Sequence, residues 1–219
     1  MKKAILHSKK PISRNDGSKA YPLNESDLPF GDGSPESLLA IAEYLDVERS
    51  LRYKRKQIDG KVVSTYCNIY AYDFCYLAGA YIPRIWWYPK AIQDIEKGMD
   101  LQAKYGDNVS EMNANGLFNW FETWGNHFGW VKQNDLVEAQ ELANKGWCVV
   151  IIAKNNIITR SGHITMIVPE HQGFKARKVN KNFLPLQSQA GIVNKKYFND
   201  NWFVSSKFSG WNVYAYQLK

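Results

Sequence analysis

Trp147-Cys148-Val149-Val150-Ile151-Ile152-Ala153 is apolar at every position. A strand with one wet face alternates, so a run without alternation reads as a strand covered on both faces. Helical signals recur ahead of it. Ser34-Pro35-Glu36-Ser37 offers an N-cap, a first-turn proline and an early carboxylate before Leu38, Leu39, Ile41, Ala42 and Leu45, which predicts a helix over about 35 to 52. Tyr70, Phe74, Leu77 and Ala78 recur at helical spacing until Gly79, and Asn113 to Phe121 reads as a further helix that Gly125 to Trp130 breaks. Asn134 caps a segment that Gly146 ends. Two more strands are expected after the apolar run, His163 to Val168 and 183 to 189, the latter confined to an edge or a start by Pro185. Helices first and a short sheet afterwards, without βαβ alternation, predict an α+β fold with helices packed on a small antiparallel sheet.

At 219 residues the chain suits one core, so residues 34–219 are expected to form one domain. Residues 1–33 have the polar, Lys/Ser/Asn/Gly/Pro-rich composition of a loosely ordered arm. No apolar run approaches a membrane span, and no secretory signal is visible, since only three apolar residues follow the basic start. A cytoplasmic site of action, or release by lysis, by a dedicated secretion machine or after trimming, is expected. The net charge of +7 favours polyanionic partners. Nucleic acid ranks low among them, because there is no zinc-finger spacing, no RNA-binding signature and only the brief Arg52-Tyr53-Lys54-Arg55-Lys56 run. Eight Trp, thirteen Tyr and ten Phe exceed what a core this size readily absorbs, which points to aromatic rings lining a groove for an elongated ligand.

Three cysteines are an odd and sparse count, so this is no disulfide scaffold. Cys75 and Cys148 lie deep in apolar runs and read as small buried hydrophobes. Cys67 differs. It stands among polar neighbours at the start of a helix, where unpaired backbone N–H groups and the positive dipole end can stabilise both a thiolate and an oxyanion. Of the four histidines, His7 falls in the arm and His171 follows a turn, both defaulting to solvent. His127 sits between Gly125 and Gly129 in an aromatic loop, where contact with substrate competes with plain surface exposure. His163, after Ser161-Gly162, projects from the mouth of a strand. The pair suggests a cysteine peptidase or amidase. No metal-ligand spacing occurs, no cofactor is called for, and no carboxylate pair stands out.

Tyr66-Cys67-Asn68-Ile69-Tyr70-Ala71-Tyr72-Asp73, Ser161-Gly162-His163-Ile164-Thr165-Met166-Ile167-Val168-Pro169 and Gln187-Ser188-Gln189-Ala190-Gly191 follow one another in an order that resembles the NlpC-type papain-like cysteine peptidases. The likeness spans roughly 60 to 200. Asn68 stands where that family often has serine, and the aromatic stretch between helix and sheet is long. The resemblance implies a papain-like fold and hydrolysis of amide bonds in the stem peptides of bacterial peptidoglycan through a Cys67 thiolate and a thioester. It implies His163 as the base and Gln189 as the residue orienting it. Tyr66, Asn68, Trp86, Trp87, His127 and Trp130 are the expected substrate contacts, with Trp120 and Trp124 sharing the groove wall or the core. It also implies action at the bacterial wall or periplasm. An antibacterial effector with an immunity protein as partner, or a phage lysin, fits such a chain. The contrasting expectations are a noncatalytic wall- or carbohydrate-binding module and an acyltransferase using the same cysteine.

Overall fold

The computed structural model of the protein describes residues 1–6, 14–15 and 22–218. Helix α1 (Pro35–Leu45) begins as expected, with Ser34 accepting from the Ser37 N–H and Pro35 in the first turn. It ends well before residue 52, because Asp46 enters the left-handed region (φ 41°) with its N–H on the Ala42 carbonyl. That early turn allows a 3-10 turn at Leu51–Tyr53 to send Arg52 and Tyr53 inward. An exposed hairpin follows, β1 (Lys56–Ile58) and β2 (Lys61–Ser64), and then α2 (Cys67–Ala78), closed by Gly79 at φ 84°. On α2 the wholly buried Asp73 carboxylate takes Arg52 Nε at 2.6 Å, Arg52 Nη2 at 3.0 Å and the Tyr53 hydroxyl at 2.8 Å. Three donors offset the desolvation of the buried charge, and they tie the 3-10 turn to the helix.

Strand β3 (Ile85–Trp87) pairs antiparallel with β4 (Val109–Glu111) across α3 (Pro89–Glu96). Helix α4 (Ala114–Trp120), capped by Asn113, does not break at Gly125 but continues through a π turn and a 3-10 turn to Gly129 at φ 91°. Strand β5 (Trp130–Gln133) leads to α5 (Leu136–Asn144), whose cap is Asp135 rather than Asn134. The remainder is strand: β6 (Cys148–Asn155), β7 (His163–Ile167), β8 (Arg177–Val179), β9 (Asn182–Leu184), β10 (Leu186–Gln189), β11 (Lys195–Asn199) and β12 (Phe208–Tyr216). Pro185 lies between β9 and β10, outside either ladder, so its missing donor is not felt. The strand expected over 183 to 189 is therefore two, and β10 is not an edge, since it pairs with both β7 and β11.

One six-stranded sheet, in the order β11-β10-β7-β6-β12-β5 with every neighbouring pair antiparallel, dominates an α+β fold. Alternation along β6 explains the unbroken apolar run. Cys148, Val150 and Ile152 join the large core under α1, α2 and α4, while Val149, Ile151 and Ala153 face Ala139 and Ala143 of α5 and Phe203. The larger core reaches back to Ala4 and Leu23, which are 3% and 1% exposed. Far from lying loose, the described parts of the 1–33 segment are docked. The Gly31 N–H donates to the Leu77 carbonyl at 2.8 Å and Trp87 Nε1 donates to the Lys2 carbonyl at 2.9 Å. His7 lies outside the described residues.

Candidate active site

Cys67 is the first residue of α2, preceded by Tyr66 at φ −126°, ψ 36°, and its side chain is only 3% exposed. The helix end is not capped by a side chain. The backbone N–H groups of Ile164, Asn68 and Cys67 favour the Cys67 thiolate. Ile164 follows His163, so one of these N–H groups belongs to the strand that carries the histidine.

His163 opens β7, opposite Ala153 of β6. Gly162 before it cannot be anything larger, because a Cβ there would lie 2.1 Å from the Ala153 carbonyl oxygen and 2.7 Å from Asn115 Oδ1. The ring's Nε2 lies 2.6 Å from Gln189 Oε1. The amide's orientation follows from its other end, where Gln189 Nε2 donates to the Val193 carbonyl at 3.1 Å. An amide oxygen only accepts, so His163 Nε2 carries the hydrogen and Nδ1 keeps its lone pair. That tautomer leaves Nδ1 as the basic atom.

Around this ring lies a second layer of order. Trp202 packs edge-on against it, ring centroids 4.6 Å apart at 77°. The Trp202 indole N–H and the Thr165 hydroxyl both donate to Gln187 Oε1 at 2.9 Å, and Gln187 Nε2 donates to the Asp200 carbonyl at 2.8 Å. Tyr70 and Ser188, one helical turn past Cys67 and one residue before Gln189, meet hydroxyl to hydroxyl at 2.5 Å and fix α2 against β10. Period-two spacing puts Gln187 on the same face of β10 as Gln189 and is the one signal for it in the sequence. Trp202 and the Ile164 N–H left no such signal.

Burial governs the protonation of the pair. It pushes the Cys67 thiol up to about 11, against the pull of the surrounding N–H groups. It also lowers His163 to about 4, helped by the positive charge of Lys207 and opposed by the bond to Gln189. At neutral pH the resting pair is thiol and imidazole, not the thiolate that the helix position led us to expect.

Tyr66, Asn68, His163 and Gln189 open onto a groove of about 850 Å³. Asn68 is anchored there by its amide N–H on the Met112 carbonyl at 2.8 Å. The expected tryptophan wall is absent. Trp86, Trp87 and Trp130 are 6%, 4% and 1% exposed, and Trp120 is 2% exposed. Trp86 meets Trp120 edge-on at 5.8 Å, and Trp130 packs on Phe121 at 5.1 Å and donates to the Tyr81 carbonyl at 2.8 Å. These rings are the core of the helical half, where each buries more apolar surface than an aliphatic residue could. Half-buried Trp124 packs against Trp86 at 6.2 Å as part of the same cluster. His127 is likewise remote from the groove, 2.7 Å from the amino group of Met1. The aromatic residues lining the groove are Tyr66, Phe198, Trp202 and Phe208.

Among the described residues no three or more His, Cys, Asp or Glu side chains gather as a metal site, and no helix is long and apolar enough to cross a membrane. Compared with known protein-family models and with curated proteins, the chain matches none.

Proposed function

We propose that the chain is a papain-like cysteine hydrolase that cleaves amide bonds of peptidoglycan stem peptides, with Cys67 as nucleophile, His163 as general base and acid, and Gln189 as the orienting residue. The observation that carries this reading is the 2.6 Å contact of His163 Nε2 with Gln189 Oε1, which leaves Nδ1 basic on the strand whose Ile164 N–H favours the Cys67 thiolate.

As a substrate carbonyl enters, the thiol proton passes to His163 Nδ1 while sulfur forms its bond to the carbonyl carbon. The oxyanion is received by the backbone N–H groups at the start of α2, which are already in place and require no reorganisation. Collapse breaks the C–N bond, and His163 gives its proton to the leaving amine. Water then attacks the thioester, losing a proton to His163, and the acid product leaves as the thiol is restored. Because the resting pair is neutral, charge appears only during attack, when the bound substrate has displaced water and the imidazolium and oxyanion form together. Gln189 is a neutral acceptor and holds the tautomer without adding a charge.

Action at the bacterial wall, with delivery as an antibacterial effector or phage lysin and an immunity protein as partner in the former case, belongs to the same proposal. A noncatalytic wall-binding module would rest on exposed aromatic platforms, and the burial of Trp86, Trp87, Trp120 and Trp130 weighs against it. Purified peptidoglycan incubated with the wild type is expected to release new amine and carboxyl termini, identified by mass spectrometry of the muropeptides. A folded Cys67→Ala variant with undiminished release would end the proposal.

A further inference from the structure

We propose that the groove reads its ligand in two halves, with Arg160 and Lys207 binding a carboxylate on one side of His163, and Val62, Val63, Ile192 and Val193 receiving an aliphatic group on the other. This rests on the hydrolase reading and narrows its substrate class to a peptide that is acidic at one end of the bound stretch and aliphatic at the other.

The charge balance of the groove is lopsided. Its two acidic side chains are Glu111, already engaged by Arg84 Nη2 at 2.9 Å, and Asp200. Against them stand Arg160, Lys195 and Lys207, none of which forms an ion pair among the described residues. Arg160 and Lys207 belong to adjacent loops at the β6 and β12 end of the site. Both loops are held by their main chains. The Asn156 N–H donates to the Lys207 carbonyl at 3.0 Å, Asn115 Nδ2 donates to the Arg160 carbonyl at 2.8 Å, and the Arg160 N–H donates to the Ile157 carbonyl at 2.9 Å. The Lys207 ammonium rests 4.8 Å from the centre of the Phe208 ring, itself part of the lining. Two cations on fixed loops, with no acidic partner among the described residues and beside the catalytic histidine, are placed to receive an anion.

Across β7 the lining changes character. Val62, Val63, Ile192 and Val193 are 38%, 52%, 65% and 55% exposed and give this part of the lining an aliphatic surface. They come from strand β2 and from the turn between β10 and β11, joined where Arg55 Nη1 donates to the Ile192 carbonyl. The third cation, Lys195, stands on this side, its ammonium 5.5 Å from the centre of the Phe198 ring much as Lys207 lies over Phe208. A polyphosphate strand would call for cations along the whole groove. Two cations at one end, against a single lysine among aliphatic side chains at the other, suit a short acidic peptide better.

Calorimetry with the full-length Cys67→Ala variant, which binds without turnover, tests this apart from catalysis. The probes are a stem-peptide fragment with free carboxylates, the same fragment with its carboxylates amidated, and a single-stranded DNA oligonucleotide. The free-carboxylate fragment should bind about tenfold more tightly than the amidated one, and adding Arg160→Gln and Lys207→Gln should erase that difference while leaving affinity for the amidated fragment unchanged. Val63→Ser with Ile192→Ser should weaken both fragments about equally. A preference that survives the double Gln variant, no preference at all, or tighter binding of DNA than of the acidic fragment overturns the proposal. The hydrolase reading fails separately, if wild-type protein binds the fragments in this pattern but never cleaves them.

Discussion

Gln189 Oε1 sits 2.6 Å from His163 Nε2, and the opposite end of the same amide donates to Val193. The amide therefore dictates which imidazole nitrogen carries the hydrogen. Gln189→Ala should fold normally but lower kcat/KM by roughly 10- to 100-fold, because the ring loses both its tautomer preference and its orientation. Gln189→Glu should keep the orientation, raise the basicity of His163 and shift the acid limb of the pH–rate profile upward. An unchanged limb in that variant would remove Gln189 from the role proposed for it.

His163 is lowered from 6.5 to about 4 by burial, so it stays a free base through mildly acidic pH. The acid limb of kcat/KM should accordingly lie well below 6.5. Stability carries the same sign. In the window between 6.5 and about 4 the unfolded chain binds a proton that the folded one refuses, so stability is full above 6.5 and is lost as pH falls toward 4. Urea midpoints measured from pH 7.5 down to 4 should decline, and less steeply in His163→Gln.

The Cys67 thiol, pushed up to about 11, should alkylate slowly at pH 7. Its rate with iodoacetamide should rise about tenfold per pH unit through pH 9 without levelling. A plateau below pH 8 would mean a resting thiolate instead. Cys75 and Cys148, fully buried with their sulfurs 3.7 Å apart, should react only after unfolding.

Asp73 holds Arg52 and Tyr53 in a wholly buried cluster. Asp73→Ala removes the buried carboxylate that accepts from both Arg52 and Tyr53 and should destabilise the protein by about 3–5 kcal/mol in urea titration. Arg52→Met with Asp73→Leu should cost less than the single change, since the buried guanidinium goes together with its carboxylate.

Gly162→Ala would bring a methyl to 2.1 Å from the Ala153 carbonyl. Separation of β6 from the start of β7 must follow, at about 1–3 kcal/mol of stability. Because His163 is the next residue, kcat/KM should drop by more than circular dichroism or melting temperature would lead one to expect.

Local features were legible where the responsible forces are local. The polar-to-apolar switch at Cys67, the stop at Gly79, the strand mouth at His163 and the unbroken run from Trp147 to Ala153 all rest on backbone preference and side-chain periodicity, which act over a few residues. Without βαβ alternation among them, they also point to an α+β chain, although strands β1 to β5 interleave with the helices instead of following them. Strands β5, β11 and β12 escaped notice because their mixed patterns make sense only beside partners distant in the chain. The tryptophans misled for a related reason. Trp86 and Trp130 have the same ring whether it lines a groove or fills a core, and only packing against Trp120, Phe121 and Phe128 decides. The charge state of the Cys67 and His163 pair was equally out of reach. A helix N-terminus favours a thiolate, burial opposes it, and how deeply a sulfur lies is a property of the assembled fold rather than of the residues on either side of it.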